Sequence, residues 1–296
     1  MIKITLLGTS GSTPTKTRGM PSVAITHNGK IYLFDCGEGT QMKMLLHGIN
    51  ISKIETVFLS HIHADHVIGI AGLVRTMALN NRQRPLIIHV PKGYESAIKS
   101  LIVFDKAMIN YPIIIKGIGS GKVYKGNGFE VSAFKLIHQI TTLGYVFKEA
   151  DKRRFDVEKC KALGIKGTMF AQLEKSKKIK IGKRIIKLES ITTLQKGKIA
   201  VYATDTRPSR ATVGAAKNAD VLIHEAAYTE KERKLAVERK HSTAQEAAGV
   251  AKLAHAKLLI LTHLSARHRD PDALYQEARK VFRHVIVGND GYITEI

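Results

Sequence analysis

A layered α/β fold is what this sequence predicts, on three observations. Short β-branched and apolar runs alternate with helical stretches. One of those runs is closed by a dense group of histidines and an aspartate, and single histidines or aspartates stand at the ends of later ones. Taken in order, Ile2 to Leu7 reads as the first strand. The loop Gly8-Thr9-Ser10-Gly11-Ser12-Thr13-Pro14 follows; its backbone N–H groups could meet a phosphate, although such a loop is more often a plain turn. Ser22 to Thr26 and Ile31 to Phe34 form a hairpin about Asn28-Gly29. Asp35-Cys36-Gly37-Glu38-Gly39-Thr40-Gln41 then leads into a short helix with Met42, Leu45 and Leu46 on its apolar side. Asp35 reads either as a turn former or as a partner that orients a ligand histidine.

The dense group is His61-Ile62-His63-Ala64-Asp65-His66, after the strand Glu55 to Ser60. Alternate residues of an extended chain point the same way, so His61 and His63 reach one point and Asp65 and His66 swing toward a neighbouring one. Imidazole nitrogen and carboxylate oxygen suit borderline divalent metals, so the group describes half of a two-metal site. Unrelated histidines in a polar loop are the plain alternative, but a chance cluster would seldom close an apolar strand and include an acid. Beyond it, Ile68 to Leu79 suits a helix, Leu86 to Val90 a strand, and Pro91 to Phe104 a helix with Pro at its start. Phe129 to Leu136 alternates as a strand that delivers His138. Lys198 to Ala203, Val221 to His224 and Leu258 to Thr262 are further strands. Ser242 to His255 is a helix opened by the capping box Thr243-Ala244-Gln245-Glu246.

A chain of 296 residues that is 44% hydrophobic can bury a large core, in one or two domains. No apolar run approaches the ~20 residues that span a bilayer, and Met1 to Gly8 reads as a strand rather than a signal peptide. Cys36 and Cys160 stand far apart and suggest no disulfide framework, so a cytoplasmic setting is expected. Lys and Arg number 47 against 25 Asp and Glu, a net charge of +22. That excess implies a polyanionic partner, without separating RNA from DNA or an anionic membrane, and weighs against a small neutral substrate such as a lactam.

His-x-His-x-Asp-His is the signature of the metallo-β-lactamase superfamily, and the sequence around it resembles the short form of ribonuclease Z, a family of endonucleases that trim the 3′ end of precursor tRNA. The resemblance runs from Leu6-Leu7-Gly8-Thr9 to Asn289-Asp290-Gly291. It implies a four-layer αββα sandwich, built from residues 1–149 and 188–296, whose halves match in structure rather than in sequence. His138, in Leu136-Ile137-His138, Asp205, in Tyr202-Ala203-Thr204-Asp205-Thr206-Arg207-Pro208, and His263, in Leu261-Thr262-His263-Leu264-Ser265, match the remaining ligand motifs. By resemblance His61, His63 and His138 hold one metal, Asp65, His66 and His263 the other, and Asp205 bridges both. The family usually has Gly where Thr204 stands, a change expected to leave the carboxylate untouched. Five neutral imidazoles and two carboxylates around two divalent ions leave a net charge that suits an anionic phosphodiester. Zinc is the expected metal, and the ligand set also suits manganese or iron. The motifs Leu222-Ile223-His224-Glu225-Ala226-Ala227-Tyr228 and His241-Ser242-Thr243 match the same family. They imply that Glu225 orients His241, which protonates or stabilises the departing ribose oxygen, while Asp65 accepts the proton of the attacking water.

Residues 150–187 break the pattern. Asp151-Lys152-Arg153-Arg154 opens a stretch carrying Lys159, Lys161, Lys166, Lys175, Lys177, Lys178, Lys180, Lys183 and Arg184, with too few large apolar residues for a separate core. Phe155 to Ile165 resembles the start of the flexible arm with which ribonuclease Z grips tRNA. The family's Gly-Pro element near the tip is here Lys166-Gly167-Thr168, whose lack of proline should leave the tip looser. The implied activity is a cut just after the acceptor stem, leaving a 3′-hydroxyl on the tRNA and a 5′-phosphate on the trailer. The implied assembly is a homodimer in which one subunit's arm presents tRNA to the other. Two rivals are a small-molecule hydrolase of the same superfamily acting on thioesters or lactones, which leaves the basic arm and His241 unexplained, and a non-catalytic basic RNA-binding metalloprotein. Structural zinc sites are usually closed by four ligands, whereas seven shared by two ions leave room for water.

Overall fold

The computed structural model describes residues 1–103, 109–268 and 270–296. By its internal contacts the chain divides into two units, Met1–Lys148 with Lys198–Ile296, and Glu149–Gly197.

The larger unit is built on two seven-stranded sheets. The first runs in the order Ile293–Glu295, Ile2–Gly8, Ser22–His27, Lys30–Phe34, Ile54–Phe58, Leu86–Pro91, Ile113–Ile118. The second runs Val285–Val287, Leu259–Thr262, Val221–Glu225, Ile199–Ala203, Leu143–Glu149, Phe129–Lys135, Gly121–Gly126. Neighbouring residues of one strand face opposite sides, and each side has its own core. Ile4, Tyr32, Phe34 and Phe58 of the first sheet and Tyr145, Phe147, Tyr202 and Ile223 of the second pack in one cluster between the sheets. On the outer face of the first sheet, Leu33, Val57 and Ile88 meet Met44, Ile70, Leu73 and Met77 of helices Thr40–Leu46 and Gly69–Leu79. On the outer face of the second, Val201, Leu222 and Leu261 meet Ala247, Ala248 and Ala251 of helix Ala244–Leu253. Helix, sheet, sheet, helix is the expected four-layer order, and strands buried on both faces explain their unbroken apolar runs.

Two local expectations fail. Met42, Leu45 and Leu46 lie exposed on helix Thr40–Leu46, which instead buries Met44 and Thr40. The helix expected from Pro91 begins instead at Glu95, and Pro91 is the last residue of the preceding strand. The expected end of that helix at Phe104 lies outside the described residues.

The smaller unit has a core of its own, contrary to expectation. Cys160, Ile165, Leu173, Ile179, Ile186, Leu188 and Ile191 are buried together, flanked by Phe155 and Phe170. Strands Lys178–Ile181 and Arg184–Lys187 pair, as do Lys152–Phe155 and Thr192–Gln195. Strand Lys178–Ile181 alternates basic with apolar residues: Ile179 is buried between exposed Lys178 and Lys180. Short, widely spaced apolar residues escaped notice because each comes from a different turn of chain and none makes a run. The unit ends at Gly197, since the strand that closes it, Thr192–Gln195, lies beyond the basic stretch. Lys159, Lys161, Lys166, Lys175, Lys177, Lys178, Lys180, Lys183 and Arg184 all lie exposed.

Candidate metal centre

The parallel strands Ile54–Phe58, Ile199–Ala203, Val221–Glu225 and Leu259–Thr262 carry the cluster at or just past their carboxyl ends, where the strands of open α/β sheets leave a crevice for ligands. Three of the residues there leave ordinary backbone geometry: Asp35, Asp205 and His263 have φ of 56°, 39° and 54°. Left-handed conformations at non-glycine residues cost on the order of 1–3 kcal/mol each and persist only where the surroundings enforce them. Gly11 clears space for His263, since a Cβ on it would stand 2.5 Å from that ring's Nδ1.

All seven expected ligands converge. The donor atoms of His61, His63, His138 and Asp205 lie within 4.8 Å of one another, as do those of Asp65, His66 and His263. Asp205 joins the two groups. Its Oδ2 lies 3.6 Å from His61 Nε2 and 3.7 Å from His138 Nε2, and its Oδ1 lies 3.2 Å from His66 Nε2 and 3.0 Å from His263 Nε2.

Hydrogen bonds fix the tautomers. Asp35 Oδ2 can only accept, so His66 donates to it from Nδ1 (2.7 Å), and Ser60 Oγ donates to the same oxygen (2.9 Å). With its proton used, Ser60 Oγ accepts from His61 Nδ1 (2.9 Å). His138 donates from Nδ1 to the carbonyl of Lys240 (3.2 Å). Each of the three rings therefore turns Nε2 toward the cluster. Asp35 is the orienting partner rather than a mere turn former, and Tyr202 holds it through a further bond of 2.8 Å.

These donors fit divalent cations. His61 Nε2 and His63 Nδ1 are 3.0 Å apart, and His66 Nε2 and His263 Nε2 3.3 Å, separations at which facing lone pairs repel unless a proton or a metal cation lies between them. Burial disfavours a charged His263, yet Asp205 and Asp65 raise it to about 10. Burial likewise works against the Asp205 carboxylate, and His263, His66 and His61 hold it well below the usual range. The two carboxylates thus draw positive charge into the centre. Such a His/Asp cluster suggests divalent metal binding.

Beside it, Glu225 is fully buried and accepts from His241 Nδ1 (2.8 Å) and from the backbone N–H of Thr206 (2.7 Å). Burial opposes charge on both partners, but each stabilises the other: Glu225 is lowered and His241 raised from their ordinary values. The His241 ring stacks near His263, with centroids 5.4 Å apart. Both line a cavity of about 180 Å³ whose wall includes Ser12, Tyr228, Arg239 and Arg267.

Sequence reasoning missed several contacts. The backbone N–H of Ser12 donates to Asp65 Oδ2 (2.8 Å), so the Gly/Ser/Thr loop serves a carboxylate where a phosphate had been considered. Thr204 donates to Asp205 Oδ1 (2.8 Å), so the residue that replaces glycine does touch the carboxylate. Arg239 and Arg267 carried no signal beyond overall charge, because only the fold brings them to the cavity.

Two face-to-face sheets with helices outside and this cluster at the strand ends define the metallo-β-lactamase class of hydrolases. The human tRNase Z short form matches 99% of this chain and 99% of its own at TM-score 0.72 and 24% identity, and the metallo-β-lactamase fold protein YhfI from Bacillus subtilis matches 100% and 99% at TM-score 0.74 and 20% identity. The family model for the anti-Pycsar protein Apyc1 matches residues 2–102. A ribonuclease Z of Archaeoglobus fulgidus is 39% identical over 302 residues, covering 100% of this chain and 98% of that protein. The chain belongs to the ribonuclease Z family.

Proposed function

We propose that this protein is an endoribonuclease that processes the 3′ end of precursor tRNA, cutting after the acceptor stem to leave a tRNA 3′-hydroxyl and a trailer 5′-phosphate. Full-length similarity to ribonuclease Z supports the substrate. The observation that carries the chemistry is Asp205, which turns one oxygen to His61 and His138 and the other to His66 and His263.

His61, His63 and His138 would hold one divalent ion, Asp65, His66 and His263 a second, with Asp205 shared; zinc is the proposed metal. Paired ions of this kind, when bound, lower the pKa of water and neutralise phosphodiester charge. The chain's own groups do the rest. Asp65, fixed by the Ser12 N–H, accepts the proton of the attacking water. His241, held by Glu225 through Nδ1, keeps Nε2 free to give a proton to the departing ribose 3′ oxygen. Arg239 and Arg267 on the cavity wall complement phosphate charge.

The Glu149–Gly197 unit is proposed as the tRNA-gripping arm, on the exposure of its lysines. A homodimer is the proposed assembly, supported by the exposed apolar residues Met42, Leu45 and Leu46 on one helix, and the cytoplasm the proposed location. A small-molecule thioesterase or lactonase would need neither the His241–Glu225 pair nor the basic unit. Incubation with a 3′-extended tRNA and mapping of the new end tests the reading. A product ending at the discriminator nucleotide with a 3′-hydroxyl supports it; intact RNA from metal-loaded protein that still cleaves a thioester sinks it.

A further inference from the structure

Around Asp205 one short loop is tied to almost every part of the centre. The backbone N–H of Thr206 donates to Glu225, and Thr206 Oγ1 accepts from the N–H of Ile137 (3.0 Å), next to His138. Ser242 donates to the carbonyl of Thr206 (2.5 Å), and the N–H of Arg207 donates to the carbonyl of Ile137 (2.9 Å). The Arg207 side chain completes the set. Its guanidinium donates to the carbonyl of His241 (2.5 Å) and to both oxygens of Glu246, one of them at 2.7 Å. Glu246 in turn accepts from the N–H of Thr243 (3.0 Å), so the same carboxylate caps the helix that begins just after His241.

His241 is thereby held twice from one loop. Its ring is bonded to Glu225, which the N–H of Thr206 fixes, and its main chain is bonded to the guanidinium of the next residue. The guanidinium reaches neither His61, His63, His138, Asp205 nor the cavity, so its bonds serve position rather than contact with substrate. A planar fork that grips a carboxylate at two points while giving a third bond to a carbonyl cannot be reproduced by lysine.

We infer that Arg207 is a positioning residue that sets the reach of the His241 imidazole toward the leaving oxygen. The inference rests on the reading of His241 as proton donor. Misplacing a reacting group by about 1 Å costs on the order of 10²-fold, and the cost falls only on steps that need that group.

The test compares two substrates. Cleavage of precursor tRNA expels a ribose oxygen that must be protonated, whereas bis(p-nitrophenyl) phosphate expels a phenolate stable without a proton. Arg207→Gln, and separately Glu246→Gln in case the first variant folds poorly, should lower kcat far more than they raise KM on precursor tRNA. The loss should exceed that on bis(p-nitrophenyl) phosphate by about tenfold or more. In a His241→Ala background Arg207→Gln should add little further loss, because the two act as a unit. Equal losses on both substrates for Arg207→Gln, or full additivity with His241→Ala, would overturn the inference. His241→Ala that lacks the substrate difference itself would overturn the reading of His241, and this inference with it. Metal content by elemental analysis should match the parent protein; a variant that has lost metal contradicts the assignment, since it would place the effect on Asp205 and His138 instead.

Discussion

The two units handle charge in opposite ways. In the larger one the ionisable groups that matter are buried at strand ends, paired at hydrogen-bond distance and fixed by two seven-stranded sheets. In the smaller one the charges stand outside a core of seven buried residues, and the strands beneath them are four residues long. Chemistry needs the first arrangement, because a low-dielectric, preorganised cluster gives strong and directed interactions. Attraction to a polyanion needs only the second, since counterion release depends on the number of cations rather than on their exact placement. Activity and grip should therefore be separable.

The largest effect should come from Asp205→Ala. It removes the carboxylate shared by both groups of donors, and a loss on the order of 10⁴-fold is expected on every phosphodiester, as when a member of a catalytic unit is removed. Steady-state rates on precursor tRNA and bis(p-nitrophenyl) phosphate measure it, and retention of either activity would break the contrast between the units.

Next comes removal of the smaller unit. Strands Leu143–Glu149 and Ile199–Ala203 pair antiparallel with Lys148 opposite Ile199, so the whole insertion occupies the place of a hairpin turn. Replacing residues 149–198 by Asn-Gly, which suits a two-residue hairpin, should leave the register intact. KM for precursor tRNA should rise on the order of 10²-fold and its salt dependence flatten, while the small phosphodiester is cut as before. A comparable loss on both substrates would mean that the insertion supports the centre as well as binding.

The legibility of the sequence follows the same divide. His61 to His66 could be read because four donors share one turn of chain. Asp205 and His263 could be read only because the residues around them match the family's motifs in order, a place at a strand end being by itself no sign of a ligand. What escaped was whatever depends on the approach of distant segments. The Ser12 N–H on Asp65, the Thr204 hydroxyl on Asp205 and the fork of Arg207 on Glu246 have no spacing to betray them. Helix Thr40–Leu46 misled because a seven-residue helix has too few turns for periodicity to tell which face its neighbours cover. The small core of residues 149–197 misled because alternation of isoleucine with lysine over four residues resembles a solvated charge run.

A smaller effect sharpens the comparison from within the insertion. Leu173 is fully buried in a cluster of seven, and Leu→Ala at such sites costs about 2–5 kcal/mol. A core this small has little stability to spare. Leu173→Ala should unfold the smaller unit, seen as hydrogen exchange across residues 157–191, while the thermal transition of the larger unit stays in place. Its tRNA kinetics should then match those of the Asn-Gly replacement. A single transition that shifts as a whole would mean the two units melt together.

The smallest effect concerns an ion pair of the larger unit. Asp220 accepts from Lys257 Nζ (2.8 Å), from the N–H of Ile199 (2.9 Å) and from Lys198 Nζ (3.2 Å). Partial burial pushes its carboxyl up, but these donors outweigh that and hold it below the ordinary value. A depressed carboxyl stabilises the fold above its unfolded pKa of about 3.9, and that contribution fades as pH falls through the lower folded value. The lysine ends are open to solvent and screened, so the gain is about 0–1 kcal/mol. Asp220→Asn should therefore lower stability slightly at neutral pH and flatten the acid limb of the stability curve below about pH 4. Denaturant midpoints across that range would measure the difference. A loss well above 1 kcal/mol would show that surface pairing, and not only the packed sheets, fixes the amino ends of these strands, opposite the ends where the centre is built.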